Sequence, residues 1–326
     1  MESAWHLSSD TIPYSVLEWS LHMRFKKFNL GMRVGDRVFA WGLAAPSIIC
    51  LAALSIYPFL TAIQSTFYSV GTITRETNYV GLDNYVWVFE SELFWQSLKR
   101  SFIWAFSGVS IQLVLGIIFS LVLHQELKGR NIARGLVLFP YLIPNIVAAI
   151  VWRFMLNPTV GIINYLLVDV THLLRTPLMW LMRPQTALAA LILVGIWKYT
   201  PFMVMLLLGR LQTTPLELYD AAKIDGANAW QLFRYVTFAW LKPVILIAAL
   251  LRTIWLFNHF DLVYLMAFGG PMYATTTVPV LIREAAFDDL RMGRAATISM
   301  YLVVVLLVLA IGYTWAYSRA EEKVTY

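Results

Sequence analysis

Six separate stretches of this chain are apolar over twenty or more residues each, and no other property narrows its possible folds so far. They run roughly over residues 38–63, 102–125, 135–156, 186–209, 241–265 and 296–318. About 20 mostly apolar residues suffice for a helix to cross the hydrocarbon of a bilayer. Within that hydrocarbon every backbone N–H and C=O must find a partner inside the protein, so spanning segments are helices or closed barrels. Runs of this length predict helices, and hence an all-α polytopic membrane protein with six transmembrane helices. The composition agrees: 59% of the residues are hydrophobic and 13% charged, against about 45–50% and 25% in soluble domains.

Charge then orients the spans. The net charge is +6, which in a soluble chain would raise nucleic acid as a partner. Here the basic residues are expected in cytoplasmic loops, and no nucleic acid is expected. The N-terminal tail, the second-to-third loop, the fourth-to-fifth loop and the C-terminal tail hold 14 Lys and Arg; the other three loops hold 8. Both termini are therefore expected on the cytoplasmic side. The domain reading is a tail over 1–37, a six-span domain over 38–318 and a second tail over 319–326. The first tail has no cleavable leader pattern and reads as disordered or skimming the membrane, with a regulatory role as the alternative. The single cysteine, Cys50, excludes an intramolecular disulfide and any cysteine metal cage.

Prolines punctuate the spans at Pro46, Pro58, Pro140, Pro144 and Pro201. "FPYLIP" at 139–144 reads as a helix start or a break. Lys198 falls in the middle of the fourth span. A central Lys costs about 2.5–3.5 kcal/mol on insertion scales, which the surrounding Leu, Ile, Val and Phe offset. The span is retained, and Lys198 should face protein or water.

One loop is unusual. Residues 210–240 carry "TTPLELYDAAKIDGANAWQLFRYV" between two apolar blocks. Thr214 can cap a helix, Pro215 suits its first position, and Glu217 can reach back. Helix is predicted over 216–224, ended by Asp225 and Gly226 because glycine tolerates a left-handed conformation. A second helix should run from Ala227 to about Ala239. A helix of ten residues is marginal alone. Ala221 and Ala222 offer a shallow surface, with Asp220, Lys223 and Asp225 around it. Docking against another body and lying on this chain's own underside remain equal readings of these residues.

No catalytic set is present. There is no G-x-x-x-x-G-K-[ST] phosphate loop and no H-E-x-x-H, so the chain is expected not to be an enzyme. His6, His22, His124 and His172 lie in tails, at a span end or in a loop. His259 differs, standing near Asn258 and Asp261 in the fifth span. Ionisable groups at membrane depth are functional candidates. Arg252, Trp255 and His259 follow helical spacing and would share one face. An aromatic ring beside hydrogen-bonding groups suits a sugar; the alternative is a polar stripe that joins helices. Arg252 and Lys198 would tolerate an anionic ligand or could pair with Asp261. "GGP" at 269–271, followed by Thr275 to Thr277, reads as a structural turn.

"ELYDAAKIDGANAW" resembles the EAA loop of permease subunits of binding-protein-dependent ABC importers, with Asp220, Ala221, Ala222 and Gly226 matching and Asp in place of Glu. Val236, Phe238 and Ala239 depart from the usual Ile, Leu and Pro. "YVGLDNYVWVFESELFWQSLKRSF", "FPYLIPNIVAAIVWRFMLNPTVGIINYLL", "WKYTPFMVMLLLGRLQTTP" and "FNHFDLVYLMAFGGPMYATTT" are similar to segments of the sugar permeases of that family, over roughly residues 38–320. The resemblance implies a type I importer permease with a cytoplasmic helix-turn-helix loop at 210–240. It implies that Glu217, Asp220, Ala221, Ala222, Asp225 and Gly226 couple to an ATPase. It implies a mid-membrane substrate path at Tyr199, Phe202, Arg252, Trp255, Leu256, Asn258 and His259. It further implies a second homologous permease, two ATPase subunits holding the ATP and magnesium, a periplasmic solute-binding protein and surrounding lipid as partners. This chain would bind no cofactor of its own and sit in a bacterial inner membrane, moving a sugar or polyol. A stand-alone secondary transporter or channel is the alternative.

Overall fold

The computed structural model describes residues 34–70, 77–126 and 128–322. The chain divides into two units, residues 1–60 and 61–326. In the first, α1 (Val34–Leu51) continues through a π-helical turn (Ala52–Ile56) into α2 (Tyr57–Ser65), which crosses the boundary. The wider turn falls immediately before Pro58, where the missing N–H would interrupt an ordinary ladder. Large apolar side chains along this run, among them Trp41, Leu54 and Tyr57, are exposed.

The second unit begins with a hairpin of β1 (Tyr68–Val70) and β2 (Thr77–Tyr79), antiparallel with Tyr68 opposite Tyr79. After α3 (Asp83–Glu90) come the two helices that carry most of the core, α4 (Glu92–His124) and, later, α7 (Pro184–Leu211). Small residues line the inward face of α4: Ser97, Ser101, Ala105, Gly108, Gly116 and Ser120 are all buried, and together with Gln112 they recur every three or four positions. In a bilayer helices gain little by hiding apolar surface from water, so close backbone approach drives association. A Cβ on Gly195 would come within 2.6 Å of the Trp104 ring, and one on Gly116 within 2.7 Å of Met203 Cβ. Trp104 fills the space at Gly195 and donates its Nε1–H to the Leu256 carbonyl at 3.0 Å.

The third apolar stretch is not one straight span. α5 (Arg130–Leu142) and α6 (Asn145–Met155) meet at 93° across Ile143 and Pro144. "FPYLIP" is thus a break. Neither half alone is long enough to cross: 13 and 11 residues reach only about 20 and 17 Å. The fifth stretch is interrupted too. α9 (Phe238–Phe257) ends before His259, and α10 (Asp261–Ala267) follows as a separate helix. α11 (Val278–Arg283) and the long α12 (Met292–Glu322) complete the unit. Among the described residues five helices are long and apolar enough to span, and the bent pair, counted as one span, makes six.

The loop at 210–240 contains the expected α8 (Leu216–Ile224), followed by Gly226 at φ +80°. Its start departs from the expected cap. Pro215 occupies the N-cap, not the first helical turn, and the Thr214 hydroxyl is buried without a hydrogen-bond partner. The second helix starts two residues later than expected. Asn228 accepts from Gln231 N at 3.0 Å while Gln231 Oε1 accepts from Asn228 N at 2.8 Å, a reciprocal box. Helix then continues through a π-helical stretch (Leu232–Thr237) into α9.

Candidate functional site

Both interrupted spans are stitched to α7 by neighbouring residues. A helix end leaves carbonyls without partners, and α5 ends beside α7. Lys198 supplies the donors. Its ammonium bonds the carbonyls of Pro140 at 2.9 Å, Tyr141 at 3.0 Å and, at closer range, Ile143. An ammonium has three N–H donors, so all are used. The positive charge also lies at the negative end of the α5 dipole. Lys198 faces protein, as anticipated, and is 2% exposed.

Tyr199, the next residue, serves both breaks. Its hydroxyl bonds Asn145 Oδ1 at 3.1 Å, at the start of α6. The same hydroxyl lies 2.5 Å from His259 Nε2, in the gap between α9 and α10. Arg252 closes the cluster from α9. Its guanidinium lies over the Tyr199 ring at 3.9 Å, and its Nε bonds Gln112 Oε1 of α4 at 2.9 Å. Its Nη2 has no hydrogen-bond partner. Neither Arg252 nor Lys198 pairs with Asp261; the ion pairs among the described residues are Lys223–Asp220 and Arg283–Asp288.

The predicted substrate residues therefore separate into two groups. Tyr199, Arg252 and Leu256 are buried at 5%, 4% and 2% exposure and hold helices together. Trp255 is 42% exposed. Phe202 and His259 are half-buried, and Asn258 is exposed. Of the expected common face, Arg252 and His259 both meet Tyr199, while Trp255 lies beside Phe202 and faces out. What faces outward is an aromatic row. The Trp255 ring lies 5.0 Å from Phe202, which stacks on Tyr141 at 6.2 Å. Tyr141 was not anticipated. Its signal was its place in "FPYLIP", which reads as a helix start or a break.

The coupling residues are placed differently. Glu217, Asp220, Ala221, Asp225 and Gly226 are exposed, and Ala222 is half-buried. Leu216 and Ile224 of the same helix are 73% and 87% exposed. The base of the loop is nevertheless fixed. Arg210 lies 3.9 Å over the Trp240 ring and bonds its carbonyl at 3.2 Å. Tyr219 bonds Thr237 at 2.9 Å. A firmly seated short helix thus presents bare apolar residues. No group of three or more His, Cys, Asp or Glu able to hold a metal occurs among the described residues.

Residues 112–323 match the family described as "Binding-protein-dependent transport system inner membrane component". The chain is 35% identical over 274 residues to the trehalose/maltose transport system permease protein of Thermococcus litoralis, covering 84% of this chain and 90% of that one. It is 31% identical over 272 residues to a sulfoquinovosyl glycerol transport system permease protein of Agrobacterium fabrum, covering 82% and 87%. A bacterial transporter structure, involved in import of the acidic polysaccharide alginate, superposes with a TM-score of 0.77 at 20% identity, over 88% of this chain and 97% of that one.

Proposed function

The chain belongs to the binding-protein-dependent transport system inner membrane components, and from that premise we propose how it works as the permease subunit of a sugar ABC importer. It is a multi-pass inner-membrane protein that supplies a path and performs no covalent chemistry. In the working assembly it pairs with a second permease, and two ATPase subunits provide the energy. ATP and magnesium are held on those subunits, and this chain binds no cofactor of its own. A solute-binding protein delivers the saccharide from the outer side. Both termini and α8 face the cytoplasm.

The observation that carries this reading is α8: a short helix fixed at its base, with Leu216 and Ile224 bare. A marginal helix with uncovered apolar side chains gains stability from packing against a second body. Asp220, Ala221, Ala222 and Gly226 make the contact, with Glu217 and Asp225 at its edge. Ala221 and Ala222 admit close approach, and Gly226 gives the turn its left-handed backbone. Closure of the ATPases moves α8, and α9 carries the motion to the break at Asn258–Phe260. The saccharide passes along Tyr141, Phe202 and Trp255, with Asn258 and His259 as hydrogen-bonding groups. Apolar ring faces rest on the aromatics while hydroxyls find donors and acceptors. Lys198, Arg252, Tyr199 and Leu256 hold this row in place from behind.

The test is co-purification. The chain, expressed with the genes adjoining its own and tagged alone, should bring down a second multi-span protein and a phosphate-loop ATPase in mild detergent. Reconstituted with its binding protein, the complex should take up a saccharide only with ATP. A chain that purifies alone and transports down an ion gradient would instead be a secondary transporter.

A further inference from the structure

At the far end of α9 from α8, the turn after α10 encloses a cavity of about 300 Å³ that the transport path does not use. The turn is preformed. Phe268, Met272 and Tyr273 all adopt positive φ, at +50°, +49° and +61°, which non-glycine residues rarely do. Threonine hydroxyls hold it: Thr275 Oγ1 bonds the Gly270 carbonyl at 2.7 Å and Thr276 Oγ1 the Gly269 carbonyl at 3.0 Å. Gly269 leaves room for that contact, since a Cβ there would lie 2.8 Å from Thr276 Oγ1.

The lining combines three rings with charged groups, but the rings are not equally available. Tyr264 is stacked on Phe260 at 4.9 Å and has Arg283 over its ring at 4.8 Å. Phe268 has Arg153 over its ring at 4.8 Å. Tyr273, 49% exposed, has no ring or cation partner among the described residues. The charged groups also divide. Arg283 is paired with Asp288, while Glu284 beside it has no ion-pair partner among the described residues. Burial, with Asp289 and Asp288 close by, raises the Glu284 carboxyl above its ordinary range.

A site for a simple cation needs carboxylates, and a site for an anion needs donors. This cavity holds both, around an open ring face. That mixture suits a ligand whose groups each donate and accept, which is the property of hydroxyls. Two carboxylates against one guanidinium disfavour an anionic ligand. The volume is at the small end of ligand sites, which run from about 300 to 1,000 Å³, and admits one ring. We propose that the cavity is a subsite for a single neutral saccharide ring, seated on Tyr273 with its hydroxyls on Glu284 and the Arg283–Asp288 pair. The proposal rests on the reading of the chain as a saccharide permease and adds a second, extramembrane station to it.

The experiment uses the whole transporter in lipid nanodiscs, without binding protein. Saturation-transfer NMR with glucose, maltose and trehalose reads binding, and uptake of the same sugars is measured separately in vesicles with the binding protein. A saccharide signal should appear in the parent protein. It should fall at least about fivefold in Tyr273→Ala, the loss expected when one stacking ring is removed, and similarly in Glu284→Gln. Tyr273→Phe, which keeps the ring, should retain it. If Tyr273→Ala fails to assemble, Glu284→Gln decides. No signal from any of the three sugars overturns the proposal, as does a signal that both variants leave unchanged. Weaker binding-protein docking in Tyr273→Ala without any saccharide signal assigns the cavity to that protein and also overturns it. Normal uptake beside these negative results leaves the transport reading intact; ATP-independent flux sinks that reading instead.

Discussion

The cluster around Lys198 and the helix α8 lie fewer than twenty residues apart in the chain, yet they are built on opposite terms. Around Lys198 almost every polar group is satisfied within this one chain: three carbonyls on one ammonium, and one hydroxyl serving both Asn145 and His259. On α8 the side chains that matter are unsatisfied, with Ile224 87% exposed and Asp220 paired only with its neighbour Lys223 at 3.4 Å. The first region is complete as an isolated chain. The second, in the function proposed, is completed by another protein. A polar residue in an apolar span and a polar loop between spans both stand out in sequence, but they stand out for different reasons: one repairs the backbone, the other advertises a surface.

The comparison can be broken most forcefully at Lys198. Lys198→Met keeps the side chain's bulk but leaves the carbonyls at the α5 end without donors. Each buried orphan costs about 1–3 kcal/mol, so the yield of folded protein and its Tm in detergent should both drop steeply. A well-folded, active Lys198→Met protein would mean that the break does not depend on this residue. On α8 the reverse pattern is expected. Asp220→Lys or Gly226→Pro should leave yield and Tm near the parent values while uptake falls by about a hundredfold or more. The Gly226 effect follows from its φ of +80°, which proline cannot adopt. Equal losses of stability and uptake would remove the distinction between the two regions.

The aromatic row sharpens the contrast within the membrane. Trp255→Ala and Tyr141→Ala should each reduce uptake about tenfold, a stacking contribution of roughly 1 kcal/mol or slightly more, without loss of Tm. Arg252→Ala and Leu256→Ala, at neighbouring buried positions, should lower Tm first. If Trp255→Ala blocks assembly, that ring is packing. The smallest effect is expected outside both regions, at Glu284. Its carboxyl is raised in the folded chain by burial and then by Asp289 and Asp288, with Arg283 opposing. The folded state therefore holds the proton more tightly than the unfolded one. Stability should fall as pH rises from the ordinary carboxyl range through the raised one, and recover on acidification. Glu284→Gln should flatten that slope in pH-dependent melting curves; an unchanged slope would assign it to other groups.

Much of this was legible in the sequence. The apolar runs gave the spans, because the bilayer leaves the backbone few options. Lys198 reads from sequence as facing protein or water, since lipid is the one environment that would penalise it throughout, and the structure shows protein. "FPYLIP" and Asp225-Gly226 were legible because proline and glycine act locally. What failed depended on tertiary direction. Arg252 and Trp255 are three residues apart, and spacing cannot say that one reaches Gln112 while the other faces out. The interruption before His259 has no proline or glycine to mark it. The Thr214 cap failed because Pro215 took the N-cap itself, and Asn228 with Gln231 formed the box that the sequence reading had placed one helix earlier.

One peptide bond separates the residue that secures the first break from the residue that touches both. Lys198 and Tyr199 are rigidly joined on α7, so the two interrupted spans do not have independent degrees of freedom. A slide or rotation of α7 that pulls on the carbonyls at 140–143 must also pull on Asn145 and His259. Mechanically this is a single linkage with two outputs, and spin-label distances measured across the two breaks should change together or not at all.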